Sequence, residues 1–357
     1  MLLRVPDFYD SFHCIAGKCT DTCCVGWEID IDETSAKRYS KIKGEFGEKL
    51  RQNIEDGHFK LLPGDRCPFL RNDGLCDMIC HLGEESLCDI CREHPRFVEV
   101  YGDIMEKGIG LCCEEGVRLL LESKGNATSP IAFIEREIED IPDDIPEDAI
   151  EARDAIFEER KHLFAILADS SKPLNMRLVE LLDYAIETSG IEIAEYDTAE
   201  RITGEDISNN IHQSWINVLG KGESYGPAWD SAYKKFMESG WPTPAKPGTV
   251  SDPCSPLFTD RDGEKIIAYL LFRYYEKSLF DGNSLTKVEF AIYFWVMLQK
   301  FGKILAGESA QQTAPIDAIK LLSKQTEYSE EIMDILEREF MENPAFSPHN
   351  FARILTE

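Results

Sequence analysis

From residue 149 onward, apolar and polar positions alternate at helical spacing. Over Ala149–Ala168, Ile150, Ile156, Phe157, Phe164 and Leu167 recur at intervals that gather on one helix face. Met176–Ile186 and Ile316–Phe340 repeat the pattern. Gly263–Phe280 is dense enough in Ile, Leu, Tyr and Phe to read as a mostly buried helix ended by Asp281-Gly282, and Val288–Ile304 has the same character. The clear β signal is Arg96–Leu111, where Phe97, Val98, Val100 and Tyr101 precede Gly102-Asp103 and Ile104, Met105 and Ile109 follow, as in a hairpin.

Two stretches break the pattern. Residues 126–148 set two prolines among carboxylates, a poor helix interior, and read as an acidic linker. Residues 240–256 carry five prolines and read as a long loop. The expected architecture is mainly α. A cysteine-rich, metal-binding N-terminal domain with a small β-hairpin (residues 1–125) precedes an all-α helical domain (149–357).

Composition sharpens this picture. The 357 residues carry a net charge of −28, and most of the excess acid lies beyond residue 125. Nucleic-acid binding relies on Lys and Arg neutralising phosphates, so that class is set aside. No run of 18 apolar residues occurs, which argues against a transmembrane helix. The opening Met-Leu-Leu-Arg-Val-Pro-Asp-Phe lacks a sustained apolar stretch and a small-residue cleavage site, so the expected compartment is the cytoplasm. Thiols stay reduced there.

That compartment gives meaning to the cysteines. Eleven of the twelve lie in the first 113 residues: Cys14, Cys19, Cys23, Cys24, Cys67, Cys76, Cys80, Cys88, Cys91, Cys112 and Cys113; the twelfth is Cys254. With disulfides disfavoured, metal binding is the expected use. Cys88-x-x-Cys91 is the tightest chelating pair. Cys19 and Cys23, like Cys76 and Cys80, are four apart and would meet over one helical turn. In the adjacent pairs Cys23-Cys24 and Cys112-Cys113 the side chains diverge, so one member of each is available to a second site or packs as a small hydrophobe. The thiolates outnumber the four that one zinc or one [4Fe–4S] cluster needs, and the residues alone favour neither metal. His13, His81 and His94 lie close by, but without a ligand spacing of their own they read as surface or hydrogen-bonding residues.

Four separated segments carry a family likeness: Cys14-Ile-Ala-Gly-Lys-Cys-Thr-Asp-Thr-Cys-Cys-Val-Gly-Trp, Cys67-Pro-Phe-Leu-Arg-Asn-Asp-Gly-Leu-Cys76, Leu87-Cys-Asp-Ile-Cys-Arg-Glu-His-Pro-Arg96, and Cys-Cys-Glu-Glu-Gly-Val-Arg-Leu-Leu-Leu ending at Leu121. In this order they resemble the flagellin lysine-N-methylase, or FliB-like, family. The Cys-Pro-Phe-Leu and Cys-Arg-x-x-Pro elements are also similar to a broader group of zinc- or iron-chelating domains. The likeness extends to Tyr269-Leu-Leu-Phe-Arg-Tyr-Tyr275 and Ser323-Lys-Gln-Thr-Glu-Tyr-Ser329. The resemblance implies transfer of a methyl group from S-adenosylmethionine to lysine ε-amines of flagellin, dependent on a cysteine-bound [4Fe–4S] cluster. The cysteines it assigns are Cys14, Cys19, Cys23, Cys24, Cys67, Cys76, Cys88, Cys91 and Cys113. Cys80 and Cys112 stand outside the family pattern, and Cys-Cys-Glu-Glu-Gly stands where Ser-Cys-Pro-Glu-Ala is more usual.

Lysine methylation needs the amine held neutral and in line with the sulfonium methyl, usually among carboxylates and aromatic rings. Tyr269, Arg273 and Tyr274, on one expected helix with Tyr275, are the candidate catalytic residues; the competing reading is core aromatics with Arg273 paired to an acid. Gly220-Lys-Gly-Glu-Ser-Tyr-Gly226 resembles a nucleotide loop but lacks the strand-then-helix context, and no adenosylmethionine motif is visible. The alternative function is a non-catalytic zinc- or iron-binding protein with a structural or redox-sensing thiolate site.

Overall fold

The computed structural model describes residues 1–26, 28–140, 146–190, 209–242, 257–310 and 312–357. Cys254 and most of the expected loop over 240–256 lie outside the described residues. The chain opens on a strand, β1 (Leu2–Pro6), and turns then carry Cys14 to Cys24. Two short helices come next, α1 (Glu33–Lys41) and α2 (Gly44–Gln52). Asp32 starts the first by accepting the Ser35 N–H at 2.8 Å. The two-residue strands β2 (Ile54–Glu55) and β3 (His58–Phe59) pair as a ribbon. Beyond them come α3 (Asp77–Leu82) and α4 (Asp89–Glu93), each beginning directly after a cysteine.

The expected hairpin forms: β4 (Arg96–Tyr101) pairs antiparallel with β5 (Ile104–Ile109), and the turn passes through Gly102 at φ +70°. It belongs to a larger sheet. After α5 (Glu114–Glu122), β6 (Phe133–Glu137) completes four strands in the order β4-β5-β1-β6, with β1 parallel to β5 and antiparallel to β6. β6 lies inside the stretch read as a linker. It is an edge strand with four of its five residues exposed, so it carries little apolar alternation.

The rest is helical: α6 (Glu147–Ala168), α7 (Leu174–Ser189), α8 (Asn209–Asn217), α9 (Pro227–Ser239), α10 (Asp260–Tyr274), α11 (Ser278–Asp281), α12 (Ser284–Ala306), α13 (Ala314–Glu327), α14 (Glu330–Glu342) and α15 (Pro348–Thr356). The fold is mainly α. Thr259 and Asp262 form a reciprocal cap that starts α10, and Gly282, left-handed at φ +69°, closes α11. The periodic stretch Ile316–Phe340 is two helices, α13 and α14. Ser329 breaks it, its side chain accepting the Ile332 N–H and starting a new helix.

Two apolar cores organise the chain. The large one centres on α12, buried on nearly every side, and draws in α7, α10, α13 and Phe8, Leu111, Val117 and Ile131 from the N-terminal third. The small one gathers Ile29, Tyr39, Leu50, Phe59, Phe69 and Met78. Sheet and helices are joined by a buried ionic knot. Arg160 of α6 donates to Glu106 of β5 at 2.9 and 2.5 Å and to Glu276, while Arg4 of β1 reaches Glu106 at 3.0 Å.

Candidate sulfur centre

The thiols separate into two groups. The first belongs to the small core: Cys67 and Cys88 are buried in it, and Cys24, Cys76 and Cys91 pack against it. Backbone geometry brings the Cys24, Cys67 and Cys76 stretches together. The Cys67 N–H donates to the Cys24 carbonyl at 2.9 Å, Val25 bridges Arg66, and Leu70 bridges Cys76. Cys76 and Cys88 occupy the positions just before α3 and α4, where first-turn N–H groups favour a thiolate. Burial raises Cys76, opposed by the N–H groups of Ile79 and Met78. The Cys91 thiol hydrogen-bonds Cys88 and lowers it to about 7, which leaves Cys91 high. Burial lifts Cys67 to about 12 and Cys24 to about 11. Cys80 is exposed on α3.

The second group forms where the loop of residues 14–24 meets α5. The Glu114 carboxylate, in the first turn of α5, accepts from Thr20 N–H at 2.8 Å and Thr20 Oγ1 at 2.5 Å, and Cys19 Sγ lies 3.5 Å away. This lays the loop beside Cys112 and Cys113. Cys23 reaches the surface, yet desolvation and then the charges of Cys24, Cys112, Cys113 and Cys14 raise its thiol. Cys113 precedes α5 as Cys76 precedes α3. Cys112 is buried, its sulfur 2.6 Å from the Tyr328 hydroxyl, and burial raises it to about 12.

A polar face of α13 covers this second group. Lys320, Ser323, Lys324 and Glu327 fall at helical spacing on one side and are all buried. Lys320 reaches Glu114 at 3.4 Å and Thr20 Oγ1 at 3.2 Å, and Lys324 pairs with Asp21. Tyr225 lies over the same loop: its hydroxyl donates to the Val25 carbonyl at 3.3 Å, and Lys324 sits 5.2 Å from its ring centre. His94, driven down to about 4 by burial, stands edge-on to Tyr328 at 5.8 Å. A Cβ on Gly110 would fall 2.4 Å from the Tyr328 hydroxyl oxygen, so glycine there permits the approach to Cys112.

The candidate catalytic residues sit on α10. The Tyr269 hydroxyl accepts the Ile109 N–H at 2.6 Å and donates to the Ile109 carbonyl at 2.7 Å, clamping the hairpin. Arg273 and Tyr274 converge on Glu327 Oε2 at 2.8 and 2.9 Å, while Glu327 Oε1, Arg273 Nε and Ser323 Oγ are buried with no hydrogen-bond partner among the described residues. His13 bonds the Ser11 carbonyl at 3.0 Å, and His81 stacks on Phe46 at 4.6 Å. The Gly220–Gly226 segment comes after a 3₁₀ turn and not a strand; its role is to place Tyr225.

Two features escaped the sequence reading. The buried polar face of α13 was masked by its apolar neighbours, although Lys320, Lys324 and Glu327 at spacings of four and three were legible. The other is the helix start behind Cys76, Cys88 and Cys113, each followed at once by Asp or Glu. Among the described residues, three candidate ligand atoms come within 4.8 Å of one another only at Glu28, Asp30 and His58, on the surface. No three of the described thiol sulfurs are that close.

No family model and no solved structure matches the chain. The flagellar biosynthetic protein FliU of Salmonella muenchen is 31% identical over 120 residues, which are 31% of this chain and 71% of that protein. The lysine-N-methylases of Salmonella typhimurium and Salmonella choleraesuis are 29% identical over 148 residues, 38% of this chain and 37% of theirs. The match thus spans little more than a third of those two relatives. No helix among the described residues is long and apolar enough to cross a membrane.

Proposed function

Because the chain belongs to the flagellin lysine-N-methylase family, we propose that it transfers methyl groups from S-adenosylmethionine to lysine ε-amines of flagellin and holds a [4Fe–4S] cluster needed for the transfer. One observation carries the cofactor assignment: five cysteines from four separate stretches share one small core. Four thiolates on one zinc lie about 3.8 Å apart, given zinc–sulfur bonds of about 2.3 Å. A cubane likewise takes four thiolates, each capping a different iron, and it is the cofactor that the family resemblance implies.

Cys24, Cys67, Cys76, Cys88 and Cys91 supply the ligands on this reading, with one to spare. When bound, the cluster supplies redox-active iron and locks together the loops that carry its thiolates. The protein's own contribution is legible. Backbone N–H groups at the starts of α3 and α4 favour the thiolate forms of Cys76 and Cys88, and the aromatic core of Tyr39, Phe59 and Phe69 excludes water. On the acceptor side, the net charge of −28 draws lysine-bearing segments toward the surface.

The test is anaerobic purification, iron and sulfide analysis, and a methyl-transfer assay with flagellin. We expect brown protein with matched iron and sulfide that labels flagellin lysines. Colourless protein with stoichiometric zinc and no transfer would overturn the proposal.

A further inference from the structure

We propose that Glu28, Asp30 and His58 form a surface site for a divalent first-row metal ion, separate from the thiolates. The inference stands apart from the iron–sulfur reading and uses none of its residues.

The site follows from strand alternation. Residues 28–31 read Glu-Ile-Asp-Ile, and burial alternates with them: Ile29 and Ile31 enter the small core, while Glu28 and Asp30 face outward. The neighbouring strand β3 does the same, with Phe59 buried in that core and His58 on the outer face. Asp30 and His58 are bridged antiparallel. The backbone bonds that flank them run from the Ile31 N–H to the Gly57 carbonyl at 2.8 Å and from the Phe59 N–H to the Ile29 carbonyl at 3.1 Å. That pattern makes Asp30 and His58 a non-hydrogen-bonded pair, the kind whose side chains stand closest. Glu28, two residues before Asp30, lies on the same face and diagonal to His58, within reach of a long side chain. The tight turn Asp56-Gly57, with φ +48° and +91°, fixes β3 against β2.

The donors have already converged. Glu28 Oε1 lies 2.9 Å from His58 Nδ1, and one ligand atom from each of the three residues falls within 4.8 Å of the others. Ligands on a common ion, with bonds of about 2.1 Å, stand roughly 3–3.5 Å apart, a separation that exposed carboxylates reach by turning. Charge points the same way. Among the described residues Asp30 pairs with no cation and Glu28 pairs only with this imidazole, while Glu55, across from His58 on β2, is taken by Lys60 at 3.7 Å. Two carboxylates therefore share one imidazole without a compensating charge, and a divalent ion supplies it. This donor set suits manganese, iron(II) or zinc. Three protein ligands leave room for water on the ion. An ion held there joins the segment after Cys24 to β3, on the outer wall of the core that encloses Cys67 and Cys88.

Manganese(II) alone is the probe, because it prefers oxygen donors to thiolates. The full chain, purified anaerobically, is titrated, and free manganese is read from its electron paramagnetic resonance signal. The parent is compared with Asp30→Asn, His58→Ala and Glu28→Gln, and with Glu33→Gln as a control, since Glu33 is an exposed carboxylate outside the cluster. We expect one saturable site in the parent, unchanged in Glu33→Gln. Each cluster variant should bind about tenfold more weakly or worse, since loss of even an outer-shell partner costs that much. Pulsed measurements on the bound manganese should show an imidazole nitrogen in the parent and none in His58→Ala. The substituted side chains are exposed or half-exposed, so circular dichroism should report an intact fold. No saturable site in the parent overturns the proposal. So does any folded cluster variant that binds as tightly as the parent, because that result marks scattered binding to an acidic surface.

Discussion

The hydroxyl of Tyr328 lies 2.6 Å from the sulfur of Cys112, 216 positions earlier in the chain. This contact fastens the end of α13 to the cysteine-rich third at the point where β5 gives way to α5. Tyr328→Phe removes it while keeping the ring. We expect a loss of about 1 kcal/mol, the usual worth of one hydrogen bond, seen as a lower urea midpoint with an unchanged slope. An unchanged midpoint would show that the contact contributes nothing.

Gly110→Ala tests the same junction from the other side. A Cβ there meets the Tyr328 hydroxyl at 2.4 Å and the Pro95 carbonyl oxygen at 3.2 Å. Backbone and ring must separate, so the variant is expected to lose about 1–3 kcal/mol and to expose the Cys112 thiol. Faster labelling of Cys112 in metal-free protein, located by mass spectrometry, is the measurement. Labelling at the parent rate contradicts this packing.

Glu327 compensates the buried Arg273 and accepts the Tyr274 hydroxyl. Glu327→Ala leaves a buried guanidinium without its counter-charge, at an expected cost of about 3–5 kcal/mol. The double variant Arg273→Met with Glu327→Leu is expected to be more stable than Glu327→Ala alone, because no charge is stranded. Thermal melts of the pair decide it. A double variant weaker than the single one contradicts a compensating role for Glu327.

His94 gives the fold a sensitivity to acid. Burial holds it at about 4, below the 6.5 of a free histidine, so the folded state takes up its proton later than the unfolded chain. Its contribution is complete above pH 6.5 and is lost as pH falls from 6.5 to 4, amounting to at most about 3 kcal/mol. Melting temperature should therefore decline over that window, and His94→Asn should flatten part of the decline. Equal slopes in parent and variant would show that His94 plays no part in it.

The helices of the large core were plain in the sequence because α12 and its neighbours bury apolar residues at regular spacing, and the hairpin because Gly102-Asp103 separates two β-rich runs. β1 and β6 were not, since their pairing joins residues 2–6 to residues 133–137 and no local pattern encodes it. Ser329 hid a helix break inside an unbroken apolar rhythm. At the site, cysteine spacing alone marked a sulfur-rich region as the candidate metal site and pointed to the divergence within Cys23-Cys24. It did not give the partition of thiols between two groups, which depends on the small core closing around Cys67 and Cys88. Nor did it give the polar face of α13: in sequence Lys320 and Lys324 look like surface charges, and Asp21 and Glu114 opposite them, with Asp317 beside Lys320, balance them where they are buried.

The central claim is that cysteine-bound iron supports methyl transfer to lysine. It is tested most directly by following radiolabelled methyl from S-adenosylmethionine into flagellin with one preparation in three states: as purified without oxygen, stripped of iron, and reconstituted with iron and sulfide. The account predicts transfer in the first, none in the second and recovery in the third, with Cys88→Ser remaining folded in its helices yet inactive throughout. Equal transfer by iron-free protein would contradict it.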